Sequence, residues 1–231
     1  VALIPPVTFR PNADKCSVVA TTNATVKPLV SGTACSALLN GAPTPGRPDP
    51  ALVLRDGGVT FRESFDRRHG ASSTVTPTSG VLLLAGVPLF AGDVIGRLGF
   101  AVSSTPVNFG TSIDGHWYLV LVDEAGDIVA QTADQGMTAI AAFSTPTKAV
   151  VAPLTVPRDQ FGHVGLLVNL GSGSGTSMCT LKASNSLVVA SAIVLGQKTL
   201  CGTFGAGLTA PPAAAVPVAG GNLAYMFAAA A

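Results

Sequence analysis

HWYLVLVDEAGDIVAQT, residues 116–132, is the stretch whose pattern decides the fold. Its first half alternates, with Trp117, Leu119 and Leu121 on one face and His116, Tyr118, Val120 and Val122 on the other. A period of two is the signature of a strand. Asp123, Glu124, Ala125, Gly126 and Asp127 then supply turn chemistry, and Ile128, Val129 and Ala130 resume the apolar run. The segment therefore reads as a hairpin, with Gly126 supplying a positive φ and the acids keeping the tip in water. Because both faces carry apolar residues, the hairpin is expected in the middle of a sheet with something packed on each side.

Similar short runs recur on either side of it. Val81 to Ala85, Leu89 and Phe90, Val94 to Val102, Ala149 to Val156, Val164 to Leu170, Met178 to Leu181, Leu187 to Leu195 and Leu223 to Phe227 are all strand-like. Thr138 to Phe143 and Leu187 to Leu195 contain enough Ala to suit a helix as well. Turn residues separate the runs, including Gly92-Asp93, Thr105-Pro106, Asp114-Gly115 and the Gly171–Gly175 loop, GSGSG. Many short strands at this cadence, with no convincing amphipathic helix, predict an all-β fold: an antiparallel β-sandwich, jelly-roll-like, of eight or so strands. Gly96 and Gly99 within one run call for a bulge, a bend or the close approach of another backbone.

Residues 1–50 differ in character, with short β-prone pieces at 7–9 and 17–19 followed by GAPTPGRPDP at 41–50. Four prolines in ten residues force an extended strap. The division expected is an N-terminal arm or small subdomain over 1–50 and a sandwich domain over 51–231. The latter ends in a Gly/Ala/Pro loop at 202–221 and a small-residue tail at 228–231, neither of which looks self-supporting.

Only 11% of the residues are charged, against roughly 25% in an average soluble domain, while 48% are hydrophobic. The net charge is +1, and no cluster denser than Arg67, Arg68 and His69 exists, so a nucleic-acid partner is not expected. Membrane insertion is not expected either. The longest apolar run, Leu187 to Gly196, is far short of the roughly 20 residues of a helical span, and 6% aromatics is poor for the girdles of a barrel. What remains is a subunit that covers its outside with neighbours. Val1 to Pro6 has no basic region and is broken by prolines, so it does not read as a secretory signal. Cys16, Cys35, Cys179 and Cys201 show no CxxC spacing, and thiols are favoured over two disulfides.

The search for chemistry finds little. His69, His116 and His163 lack metal-ligand spacing, and GSGSG matches neither a nucleophile elbow nor a dinucleotide loop. Asp123, Glu124 and Asp127 suit a solvated hairpin tip better than a calcium site. No carboxylate pair can be nominated for glycoside hydrolysis. No catalytic residue, metal or cofactor is expected. Trp117, Tyr118 and Tyr225 are the aromatic candidates for a glycan platform, with core packing the default for each. The sequon Asn23-Ala24-Thr25 carries no weight without a secretory signal.

Residues 63–102, taken with 116–135 and 149–170, resemble a β-sandwich domain of structural proteins of tailed bacteriophages, especially those infecting actinobacteria. The first part of the family pattern, TSGxLxLxGxxLxAGxV, is met by Thr78, Ser79, Gly80, Leu82, Leu84, Gly86, Leu89, Ala91, Gly92 and Val94. Its hairpin part is met by Trp117, Asp123, Ala130, Thr132, Ala133 and Asp134. Trp117 lies one residue farther from Asp123 than the family spacing, and Val129 stands where a second Leu is usual. The resemblance covers residues 60–185. It implies a non-enzymatic virion protein, a decoration or minor tail protein on the capsid or tail surface, held by other virion structural proteins and by self-association. The rival is a host-surface glycan adhesin of the tail, and a hydrolase ranks last.

Overall fold

A computed structural model describes residues 8–12, 15–19, 60–65, 73–184 and 199–231. The chain divides into two units, Val1–Val59 and Thr60–Ala231. In the first, β1 (Thr8–Asn12) and β2 (Lys15–Val19) form an antiparallel hairpin with Thr8 opposite Val19. The Pro-rich strap, the sequon, Cys35, the Arg67–His69 patch and Leu187–Leu195 lie outside the described residues.

The second unit is all-β and antiparallel, with no helix among the described residues. Its strands, numbered in chain order, are β3 (Phe61–Glu63), β4 (Ser73–Val75), β5 (Leu82–Leu89), β6 (Val94–Phe100), β7 (His116–Val122), β8 (Ile128–Gln131), β9 (Thr147–Thr155), β10 (Gln160–Asn169), β11 (Leu181–Ser184), β12 (Cys201–Phe204), β13 (Val218–Ala219), β14 (Leu223–Ala224) and β15 (Met226–Ala229). They build a six-stranded sheet, β13-β12-β5-β10-β7-β8, a four-stranded sheet, β3-β15-β6-β9, and a three-stranded sheet, β14-β11-β4.

The alternation along 116–122 is realised side chain by side chain. Trp117, Leu119 and Leu121 join Leu83, Ala85, Val87, Leu89, Val164, Leu166 and Val168 on one face of the large sheet. There they meet Ile95, Leu98, Phe100, Met226 and Ala228 of the four-stranded sheet and Leu181 and Leu223 of the three-stranded one. Each fully buried side chain of this size contributes roughly 1.5–3 kcal/mol by leaving water, so this layer is the main source of stability. Trp117 sits at its centre, edge-on to Phe100 at 6.0 Å, with its indole N–H donated to the Thr138 carbonyl at 3.0 Å.

The opposite face carries Leu82, Leu84, Val120, Val122 and Leu167, and it is covered by the chain's own C-terminal loop. Residues 205–217 leave β12 and cross this face, packing Leu208 and Ala215 onto it. They pair with the far hairpin tip through Ala215 N–H to Gly126 O (2.7 Å) and Ile128 N–H to Ala213 O (3.2 Å), then return to β13 beside β12. The loop is thus a strap fixed by backbone bonds, not a segment waiting for a neighbour. The tail is likewise built in: β15 lies between β3 and β6, and Ala228 is fully buried.

The hairpin itself is β7 and β8, with Gly126 at φ 97°. Asp123 closes its tip by accepting the N–H groups of Ala125 and Asp127 at 2.9 and 3.0 Å. It is central only in part: β7 is interior, whereas β8 is the edge strand. Thr78 to Val94 forms an arch that carries the chain from the large sheet (β5) to the four-stranded sheet (β6), turning at Gly92 with φ 85°. Gly96 marks a register shift in the β6–β9 pairing, and a Cβ there would stand 2.7 Å from the backbone of Ala231. Thr138–Phe143 is neither strand nor helix; only Ile140 bridges, to Val107. Gly171–Gly175 is pinned, with Ser172 N–H donated to Asp114 at 2.8 Å and Ser174 N–H to Thr111 at 3.0 Å.

Candidate functional site

Of the aromatic candidates, the fold removes two from the surface. Trp117 is 1% exposed, and the Lys148 ammonium lies 5.4 Å over its ring. Tyr225 is buried between the short strands β14 and β15, its hydroxyl donated to Glu63 at 2.7 Å and its ring edge-on to Phe65 at 5.2 Å. Both are packing residues. Tyr118 remains, because its position on β7 points it to the second face at the end that the strap leaves partly open.

There Tyr118 meets His116, two residues earlier on the same face, with ring centroids 6.5 Å apart. Asp134, just beyond β8, joins them: its Oδ2 lies 2.6 Å from His116 Nδ1, and its carboxylate stands near enough to act on the Tyr118 phenol. Its other oxygen, Oδ1, accepts the Gly136 N–H at 2.8 Å. Burial pushes the Asp134 carboxyl up, but the bonds from Gly136, His116 and Tyr118 outweigh it and hold the group below its ordinary 3.8. An ionised carboxylate only accepts, so Nδ1 carries a proton and the imidazole is oriented with Nε2 free to face a ligand. Burial, and then the neighbouring carboxylate, raise the Tyr118 phenol above its ordinary 10.0. An aromatic pair with an oriented imidazole and carboxylate can stack against a polar ring and bond its hydroxyls.

The other titratable groups do structural work. His163 is buried on β10 with Nε2 donating to the Thr199 carbonyl at 2.7 Å and Nδ1 unpartnered. Cys179 and Cys201 are buried; the Cys201 thiol donates to the Gly221 carbonyl at 3.3 Å, and burial pushes the Cys179 thiol up to about 12. Glu124 and Arg158 approach to 3.8 Å beside the hairpin tip. Among the described residues no three His, Cys, Asp or Glu side chains stand together as a metal site.

Two surface features escaped the sequence reading. The first is an open groove of about 330 Å³ between β8 and the central part of β9, with no charged side chain in its lining of Ile128–Gln131, Val151–Ala152 and Pro212–Ala213. The second is Phe143, 77% exposed at φ 51°, a backbone conformation rare for a bulky side chain. Alternation could not show either one, since the groove forms where two sheet edges diverge and the turn follows no period. A scan against protein-family models and a search of curated proteins return no match to the chain.

Proposed function

We propose that this chain is a non-enzymatic structural protein of a tailed-bacteriophage virion, displayed on the capsid or tail surface and held there by protein–protein contacts. The observation that carries the reading is the pattern running from Thr78 to Val94 and from Trp117 to Asp134. Its residues form the sheet-crossing arch, the core and the hairpin cap, as a pattern that specifies a scaffold would. Charge poverty supports it too. An exterior that carries Ile113, Phe143, Val151, Val216 and Val218 in the open suits a surface covered by companions.

The test is co-sedimentation. Particles of the encoding phage, purified through a density gradient and analysed by mass spectrometry, should contain the chain at a fixed ratio to the major shell or tube protein. Its absence from washed, infectious particles would end this reading.

The Tyr118–His116–Asp134 cluster favours a second reading, in which the same domain is a tail adhesin for host-surface glycan. Tyr118→Ala, with folding intact by circular dichroism, should abolish binding on an array of host-envelope polysaccharides. An array on which the unaltered protein binds nothing would remove it.

A further inference from the structure

His163 lies on β10 directly opposite Gly86 of β5, and only 7% of it is exposed. Because Gly86 has no side chain, the imidazole spans β5 and donates from Nε2 to the Thr199 carbonyl at 2.7 Å, at the lead-in to β12. The next carbonyl, Leu200 O, accepts the Gly86 N–H at 2.7 Å. Phe161 closes the remaining space: its ring stands edge-on to the imidazole at 5.5 Å and would collide with a Cβ on Gly86. The ring thus ties an outlying strand to an interior one, since β12 has beyond it only the two residues of β13.

The other ring nitrogen, Nδ1, is buried with no hydrogen-bond partner. While Nε2 donates, Nδ1 holds a bare lone pair, and a proton added there meets no acceptor. Among the described residues, none of those facing the ring titrates: Gly86 of β5, Val122 of β7, Phe161 and Gly165 of β10, and Thr199 and Leu200. Cys201 packs in the core on the other face. Glu124 after Val122 approaches Arg158, Asp159 before Phe161 accepts the Ala91 N–H, and residues 205–217 of the strap contain no ionisable side chain. A buried cation without a partner is strongly disfavoured. It is relieved most cheaply by opening the contact that keeps water out.

We propose that His163 is an acid-sensitive latch: the neutral imidazole fastens Thr199 and β12 to the sheet, and its protonation releases β12 and β13 while β5, β10 and β7 stay paired. The release unpairs the outer edge of β5, where Gly86 loses its acceptor. This is a local opening that precedes unfolding, and it stands independently of the virion reading.

Amide hydrogen exchange of the full chain, read by NMR and corrected for the intrinsic rate at each pH, tests it. The amides of Gly86 and of β12 should open together, with larger opening constants than the β7–β10 ladder at Leu119 and Leu166. Between about pH 7.5 and about pH 5.5 those constants should rise up to roughly tenfold, as one proton taken up on opening dictates. In His163→Gln, which keeps a donor for Thr199 and does not titrate, they should stay level. Should that variant fail to fold, the unaltered chain still decides. The rise must set in near pH 6.5, the ordinary value of a released imidazole, and one that begins only below about pH 5 belongs to carboxylates and would overturn the latch. So would β12 amides that open only with the β7–β10 ladder, or a rise that survives in His163→Gln.

Discussion

Arg62 and Asp93, far apart in sequence, close a fork of two hydrogen bonds at 2.7 and 2.6 Å in the buried interior. Arg62 comes from β3 of the four-stranded sheet, and Asp93 lies in the turn of the arch that joins the two main sheets. The guanidinium also lies 4.8 Å over the Phe90 ring, and Asp93 accepts the Phe90 N–H at 2.9 Å. The pair therefore pins the arch to the edge of the smaller sheet. Removing one member strands a buried charge, which typically costs about 3–5 kcal/mol, whereas removing both is far milder. Arg62→Met should lower the unfolding free energy by that amount in urea denaturation. Adding Asp93→Asn, which keeps an acceptor for Phe90, should restore part of it. A single substitution costing under about 1 kcal/mol would show that the fork does not hold the arch.

The strap over the second face makes a different demand. Leu84 is fully buried only because residues 205–217 lie across β5, β10 and β7. Leu84→Ala should thus cost about 2–5 kcal/mol, as for any core leucine. A loss near zero would mean that the strap leaves this face open in solution.

Acid should weaken the fold through His163. Burial holds its folded-state value below the ordinary 6.5, against the opposing pull of the Thr199 carbonyl. The unfolded chain therefore takes up this proton first. Stability is full above pH 6.5 and declines as the pH falls below that value, until the folded imidazole also titrates. His163→Gln, which keeps a donor for Thr199, should flatten the melting temperature between pH 7 and pH 5. An unchanged slope would assign the acid response to another group.

Asp134 should govern the ionisation of Tyr118. Burial raises the phenol, and the carboxylate adds to the rise by a hydrogen bond and by its charge. Asp134→Asn should accordingly let Tyr118 ionise at lower pH than in the unaltered protein, followed by NMR of its ring. A phenol that titrates identically in both would mean that the two groups do not interact.

The β7–β8 hairpin and the sandwich class were legible because period-two patterning is local and the apolar residues on both faces of 116–122 implied two packed layers. Arg62 was not, since an arginine in a polar stretch defaults to the surface and its partner comes from elsewhere in the fold. β12 was hidden for another reason, and the run Leu223 to Phe227 caught only the start of β15. Their Gly and Ala residues carry little strand propensity, and they become strands because small side chains permit close approach: a Cβ on Gly99 would run into the Phe227 ring. Of the candidate site, Tyr118 was named from composition alone. Its partners His116 and Asp134 were visible separately, as a strand residue and as part of the hairpin pattern. Nothing in a one-dimensional pattern says that the residues after β8 fold back beside the start of β7.

An averaged electron-microscopy map of the intact particle tests the central claim most directly. The account predicts density for the Thr60–Ala231 sandwich at repeated positions on the capsid or tail exterior, with its charge-poor flanks against neighbouring subunits. A fully interpreted map with no such density, in particles made while the chain is expressed, would contradict it.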